Sequence, residues 1–142
     1  MIEMSREMGG AARVLMAIGA ILAGAWVGLS AWSSHGPMAL QVTPAWQSAL
    51  SQHIVHALAL LLLGLHLAWR PSRWALAAGV AIVLGLFLFC LTLEVKTWLG
   101  SSVPTPWVPW GGTCFLLGWL CWAVACVRPM SATTPMDGVR RA

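Results

Sequence analysis

The sequence has no tyrosine, three phenylalanines and four acidic residues, and Asp, Glu, Lys and Arg together fill only 8% of its 142 positions. A soluble domain carries about a quarter charged residues, so a water-soluble globule of this size is excluded and a bilayer is the fitting solvent. The short motifs of catalysis are missing as well. There is no G-x-S-x-G, no H-E-x-x-H, no phosphate-binding loop and no pair of carboxylates within an apolar stretch. Glu94 is the one acid in the membrane region. No basic run with interleaved aromatics is present, which argues against a nucleic-acid partner. Neither the inverted repeats nor the interrupted helices of a transporter are visible. The four cysteines, Cys90, Cys114, Cys121 and Cys126, form no C-x-x-C and all lie in apolar segments, where a free thiol behaves as a small hydrophobe. A redox enzyme built on Cys90 and Cys114 would need a closely spaced, accessible pair, which the chain does not offer.

What is present is apolar length. A membrane-spanning helix needs about 20 mainly apolar residues, and four stretches qualify, at 14–32, 50–69, 74–94 and 109–127. The expected fold is therefore all-α, an integral membrane bundle of four transmembrane helices spanning 14–127. A polar segment, 1–13, precedes it, and a tail, 128–142, rich in Ser, Thr, Pro and Gly, is expected to be poorly ordered. The first stretch could be read as a signal peptide, because Arg6 and Arg13 precede it and Ala31-Trp32-Ser33 resembles a cleavage site. Its 19 uncharged residues exceed the usual apolar core of about 7 to 15, which favours a retained helix.

The charges give a direction. Arg6, Arg13, Arg70, Arg73, Arg128, Arg140 and Arg141 fall on one side of the four spans, and Lys96 alone on the other. By the positive-inside rule both termini should be cytoplasmic, and in a bacterial inner membrane the 33–48 and 97–109 loops would face the periplasm. Tryptophans cluster at the span ends (Trp32, Trp46, Trp69, Trp74, Trp98, Trp107 and Trp110), as expected of anchors at the headgroup level. Of these, Trp32, Trp69, Trp74, Trp98 and Trp110 are the firmest interface anchors. Trp119 and Trp122, three apart, share a face of the fourth span. Lys96 is expected to snorkel outward.

Between helices, small residues permit close backbone approach, which drives association where lipid is as apolar as leucine. Ala20, Gly24 and Gly28 form such a stripe on the first span and Ala77, Ala81 and Gly85 on the third, with Gly111, Gly112 and Gly118 as candidates on the fourth. The polar residues gather by depth. His35, His53, His56 and Glu94 all fall at the outer level, from three segments, whereas His66 lies near the opposite end. Such a set could tie the outer ends together by hydrogen bonds, bind zinc, copper or haem, or hold a quinone headgroup or relay protons. An ionisable group inside a membrane is a functional hypothesis by default. Near the interface, however, water lowers its cost.

The segments "SAWSSHG" (30–36), "HALALLLLGL" (56–65), "FCLTLE" (89–94) and "PWGGTCFLLGW" (109–119) resemble, in order, the motifs of the DUF423 family. This is a family of small four-helix membrane proteins of unknown function, with bacterial inner-membrane members and the eukaryotic transmembrane protein 256. His35, His56, Pro109, Gly111, Gly112, Gly118 and Trp119 match its pattern. His53 stands where the family has Gln and Glu94 where it has Tyr, so half of the outer set is peculiar to this chain. The resemblance implies a fold and a membrane location but no activity. The expected role is a non-catalytic accessory or structural subunit of a larger membrane complex, with the bilayer and other integral membrane subunits as partners and no resident cofactor. The alternative is a binding protein that holds a metal, haem or quinone at His35, His53, His56 and Glu94.

Overall fold

A computed structural model of the protein describes residues 2–35, 42–100 and 103–128. All regular structure among them is helical: α1 (Ile2–His35), α2 (Pro44–Trp69), α3 (Arg73–Gly85), a π-helical turn (Leu86–Leu91), α4 (Thr92–Leu99) and α5 (Val108–Val127). The segment from α3 through the π turn to α4 forms one continuous span, Arg73–Leu99, and with Gly9–His35, Pro44–Trp69 and Val108–Val127 it gives four helices long and apolar enough to cross a membrane. The tail at 129–142 lies outside the described residues.

The helix ends follow local chemistry. α1 begins at Ile2, well before the expected Val14; Gly9 and Gly10 each cost a helix about 1 kcal/mol relative to Ala but do not break it. α2 starts six residues earlier than the apolar pattern suggests, because Thr43 accepts a hydrogen bond from the Trp46 N–H at 3.2 Å and Pro44 sits in the first turn. A Thr-Pro pair is a start signal that hydropathy alone does not register. Ser72 caps α3 in the same way, accepting from the Ala75 N–H at 3.4 Å.

Successive spans are antiparallel. One end of the bundle, here the termini end, holds the start of α1, the α2–α3 turn and the end of α5; the far end holds the two longer connections. α1 packs mainly on α2 and α5 mainly on α3, while α2 and α3 join the two pairs. The core common to both is Ala12, Leu15, Leu60, Leu63, Leu67, Ala75, Ala78, Ile82 and Phe115.

Glycines set how closely the helices approach. A Cβ on Gly19 would lie 2.7 Å from the Ala57 carbonyl oxygen, and one on Gly64 would lie 2.7 Å from that of Ala12. Each helix of the first pair thus offers a glycine to the other's backbone. In the second pair, a Cβ on Gly85 would collide with the Phe115 ring, one on Gly111 would lie 2.7 Å from the Phe89 nitrogen, and one on Gly118 would lie 2.8 Å from Ile82. Gly79 meets Leu15 across the two pairs. Gly24, Gly28 and Gly112 do not pack against the described residues of the bundle: none of these lies within 4 Å of a Cβ on any of them. The reason is rotational. The buried face of α1 runs through Ala12, Leu15 and Gly19, and the Ala20–Gly24–Gly28 stripe points away from it.

At the termini end, Arg70 donates to the Arg128 carbonyl at 3.0 Å, and the Arg128 guanidinium sits 5.1 Å from the centre of the Trp74 ring, joining the α2–α3 turn to the end of α5. At the far end Trp32 and Trp98 meet edge to face at 4.6 Å. Trp32, Trp69, Trp74, Trp98, Trp107 and Trp110 are exposed, as an aromatic belt requires, but Trp46 is only 2% exposed and belongs to the interior.

Candidate functional site

Glu94 owes its position to the π turn. At 100° per residue, the twelve steps from Ile82 to Glu94 would leave a regular helix about 120° off its starting face. The wider Leu86–Leu91 turn underwinds the helix, so that Ile82, Leu86, Cys90 and Glu94 are all buried. Thr92 reaches back five residues to accept this geometry, its hydroxyl donating to the Phe87 carbonyl at 3.5 Å. Gly111 makes room for the displaced backbone at Leu88 and Phe89. Single-turn π segments of this kind are frequent at functional sites.

Glu94 there meets His53 of α2. The imidazole Nδ1–H donates to the Glu94 carboxylate Oε1 at 2.7 Å, and the two residues are 4% and 7% exposed. The other ring nitrogen, Nε2, is buried and has no hydrogen-bond partner among the described residues. Both side chains line a cavity of about 230 Å³ between α1, α2 and the π turn, otherwise walled by Ile18, Leu22, Val83, Leu86, Cys90 and their neighbours.

His56 does not join them. It lies three residues on, about 60° around α2, and that rotation turns it from α4 towards α5. Its Nδ1–H donates to the Gln52 carbonyl at 2.8 Å, and its Nε2 accepts from the Trp119 indole N–H at 3.1 Å. Both ring nitrogens are thus satisfied in a neutral imidazole whose tautomer is fixed by its partners. The ring also stacks on Phe115, with centroids 3.6 Å apart. His35 ends α1, exposed, without a hydrogen bond to a described residue.

The expected outer set of His35, His53, His56 and Glu94 therefore divides into a buried hydrogen-bonded pair, a fully bonded structural histidine and an exposed residue. No group of three or more His, Cys, Asp or Glu side chains among the described residues is placed to hold a metal ion. His53 and Glu94 supply two donors, where zinc or copper takes three or four. Lys96 borders a separate, open groove of about 700 Å³ at the far end, with Thr43, Thr97 and Thr105 on its walls. Trp119 and Trp122 stack at 5.4 Å. Missed by sequence reasoning were the π turn, the Cys90 wall of the cavity and the His56–Trp119 bond. The last was within reach, since both residues belong to the motifs that carry the family resemblance.

Comparison with known proteins agrees with this architecture. The chain is 27% identical over 126 residues to UPF0382 membrane protein SERP0230 of Staphylococcus epidermidis, an alignment covering 82% of this chain and 97% of that protein. It is 29% identical over 127 residues to UPF0382 membrane protein YwdK of Bacillus subtilis, covering 82% and 98%. With SAB0533 of Staphylococcus aureus, also a UPF0382 membrane protein, it shares 25% identity over 123 residues, covering 80% and 94%. No solved structure matches. Residues 29–112 match the profile of DUF423, a protein family of unknown function. The chain, a bacterial-type multi-pass membrane protein with four spanning helices, belongs to the DUF423 family.

Proposed function

We propose that the protein is a non-catalytic accessory subunit of a larger membrane assembly, docking through the outer face of α1. The observation that carries this reading is the position of α1. It lies at the edge of the bundle, packing mainly on α2 with lesser contacts through Leu15 to Gly79 and through Trp32 to Trp98, and only 11% of its most apolar window is buried. Its free face carries Ala20, Gly24 and Gly28, and the space beside both glycines is open. Small residues four apart let a second helix approach closely enough for dispersion and weak Cα–H···O contacts to hold it in lipid. All three positions are exposed among the described residues.

Native mass spectrometry of the protein released from its own membrane in a mild detergent tests the reading. A complex much heavier than 15.2 kDa with different companion subunits is expected, and Gly24→Leu with Gly28→Leu should release the companions without changing the melting temperature of the isolated chain. A bare 15.2 kDa species, or a complex indifferent to both substitutions, overturns it.

A further inference from the structure

The His53–Glu94 pair is more polar than a structural tie needs to be, and one of its atoms is left without a partner among the described residues. Three features coincide around it. His53 is 96% buried, with its Nδ1–H committed to Glu94 at 2.7 Å and its Nε2 unbonded. A cavity of about 230 Å³ adjoins both side chains. The wall opposite α1 is the π turn, which contributes Leu86, Phe87, Cys90 and Leu91. A buried ring nitrogen without a partner costs about 1–3 kcal/mol, and helix geometry is distorted at the same place. A second structural hydrogen bond would have removed that cost, as it does at His56 in the next turn of α2.

We infer that this cavity is a binding site for a membrane-soluble molecule that presents a carbonyl oxygen on a narrow apolar body, of the quinone or lipid-ester class. The chemistry follows from the pair. With Nδ1 committed to Glu94, Nε2 is the one hydrogen-bonding position the pair has left, and in its N–H form it donates to a carbonyl oxygen. The other walls are hydrocarbon, apart from the Cys90 thiol. The volume falls below the roughly 300–1,000 Å³ of pockets for drug-sized ligands, so it takes a single ring or a chain segment. Entry is from the lipid: Phe87 and Leu91, both on the wall, are 62% and 43% exposed on the outer surface.

The site is independent of the docking face on α1, and its test separates the two. The full chain, purified in a maltoside detergent that has no carbonyl group, is titrated with a benzoquinone bearing a ten-carbon chain and, separately, with a short-chain diacylglycerol. Nitrogen NMR of the His53 ring reports the contact. Saturable one-to-one binding of either probe with a shift of the Nε2 resonance is expected, and the probe that binds identifies the source of the carbonyl. His53→Phe should weaken binding about tenfold or more, the loss of a hydrogen bond. Leu22→Trp should block it by filling the cavity while leaving the pair untouched. Should His53→Phe fail to fold because Glu94 is stranded, the double change His53→Phe with Glu94→Leu removes both polar partners. Absence of binding by both probes, or equal binding to the wild type and to Leu22→Trp, overturns the site. Leu22→Trp retains any companion subunits in either case.

Discussion

His53 and His56 show how much three positions can matter on one helix. The two rings have the same chemistry and nearly the same depth, yet one is satisfied twice and the other once. His56 therefore carries stability. His56→Ala removes the Phe115 stack, leaves a cavity and strands the Trp119 indole, a loss of roughly 2–5 kcal/mol. His56→Phe keeps ring volume and stack and loses only the polar bonds, each worth about 0.6 kcal/mol and at most about 1.7 inside a membrane. Thermal unfolding in detergent should rank wild type above His56→Phe and His56→Phe well above His56→Ala. Pairing His56→Phe with Trp119→Phe should cost less than the sum of the two single changes, because both delete the same bond. Additive effects would mean that the bond carries no weight.

At the scale of the element, glycine position decides what hydropathy cannot. Span number and the all-helical class were legible because 20-residue apolar runs have no soluble alternative. The packing faces were half legible. Gly85, Gly111 and Gly118 are at close approaches, whereas Gly24, Gly28 and Gly112 are not, and Gly19, Gly64 and Gly79 supply contacts that no spacing rule singled out. A span that is apolar on every side carries no periodic signal for its rotation, so the inward face of α1 could not be read. The π turn was invisible for a related reason: Leu-Phe-Leu-Phe-Cys-Leu has no proline or glycine to mark a change of winding. Depth grouping put His53, His56 and Glu94 together; His53 and Glu94 share a hydrogen bond, while about 60° of rotation sends His56 to another neighbour. Substitution separates the two kinds of glycine. Gly64→Val thrusts a side chain into the Ala12 carbonyl and the Met16 side chain; overpacking of this kind costs about 1–3 kcal/mol, occasionally more, and should loosen α1 from α2. Gly28→Val should leave the melting temperature of the isolated chain within error. A melting point that falls equally in both would show that α1 packs on another face.

For the whole molecule, the two helix pairs place every described arginine side chain at the termini end and Lys96 near the far end. Arg13, Arg70, Arg73 and Arg128 come from α1, the α2–α3 turn and the end of α5, and folding gathers them in the half of the bundle towards the termini end. Each basic residue held at the cytoplasmic surface is worth about 1 kcal/mol against anionic lipid, and the insertion machinery reads the same bias. Here the termini end should be cytoplasmic and the far end periplasmic. Ser34→Cys, exposed at the end of α1, should react with a membrane-impermeant maleimide in intact cells. A fluorescent protein that matures only in the cytoplasm, fused after Ala142, should light up in the same cells. Moving charge rather than sequence then tests the cause. Arg70→Gln with Arg73→Gln removes the basic turn between α2 and α3, and Val42→Arg with Thr105→Arg adds basic charge to the far end. Together these changes should yield a mixed or inverted population, with Ser34→Cys labelling falling and the fusion dimming in step. A population that keeps its orientation through all four changes would mean that something other than arginine placement, such as assembly with companion subunits, sets the direction of the bundle.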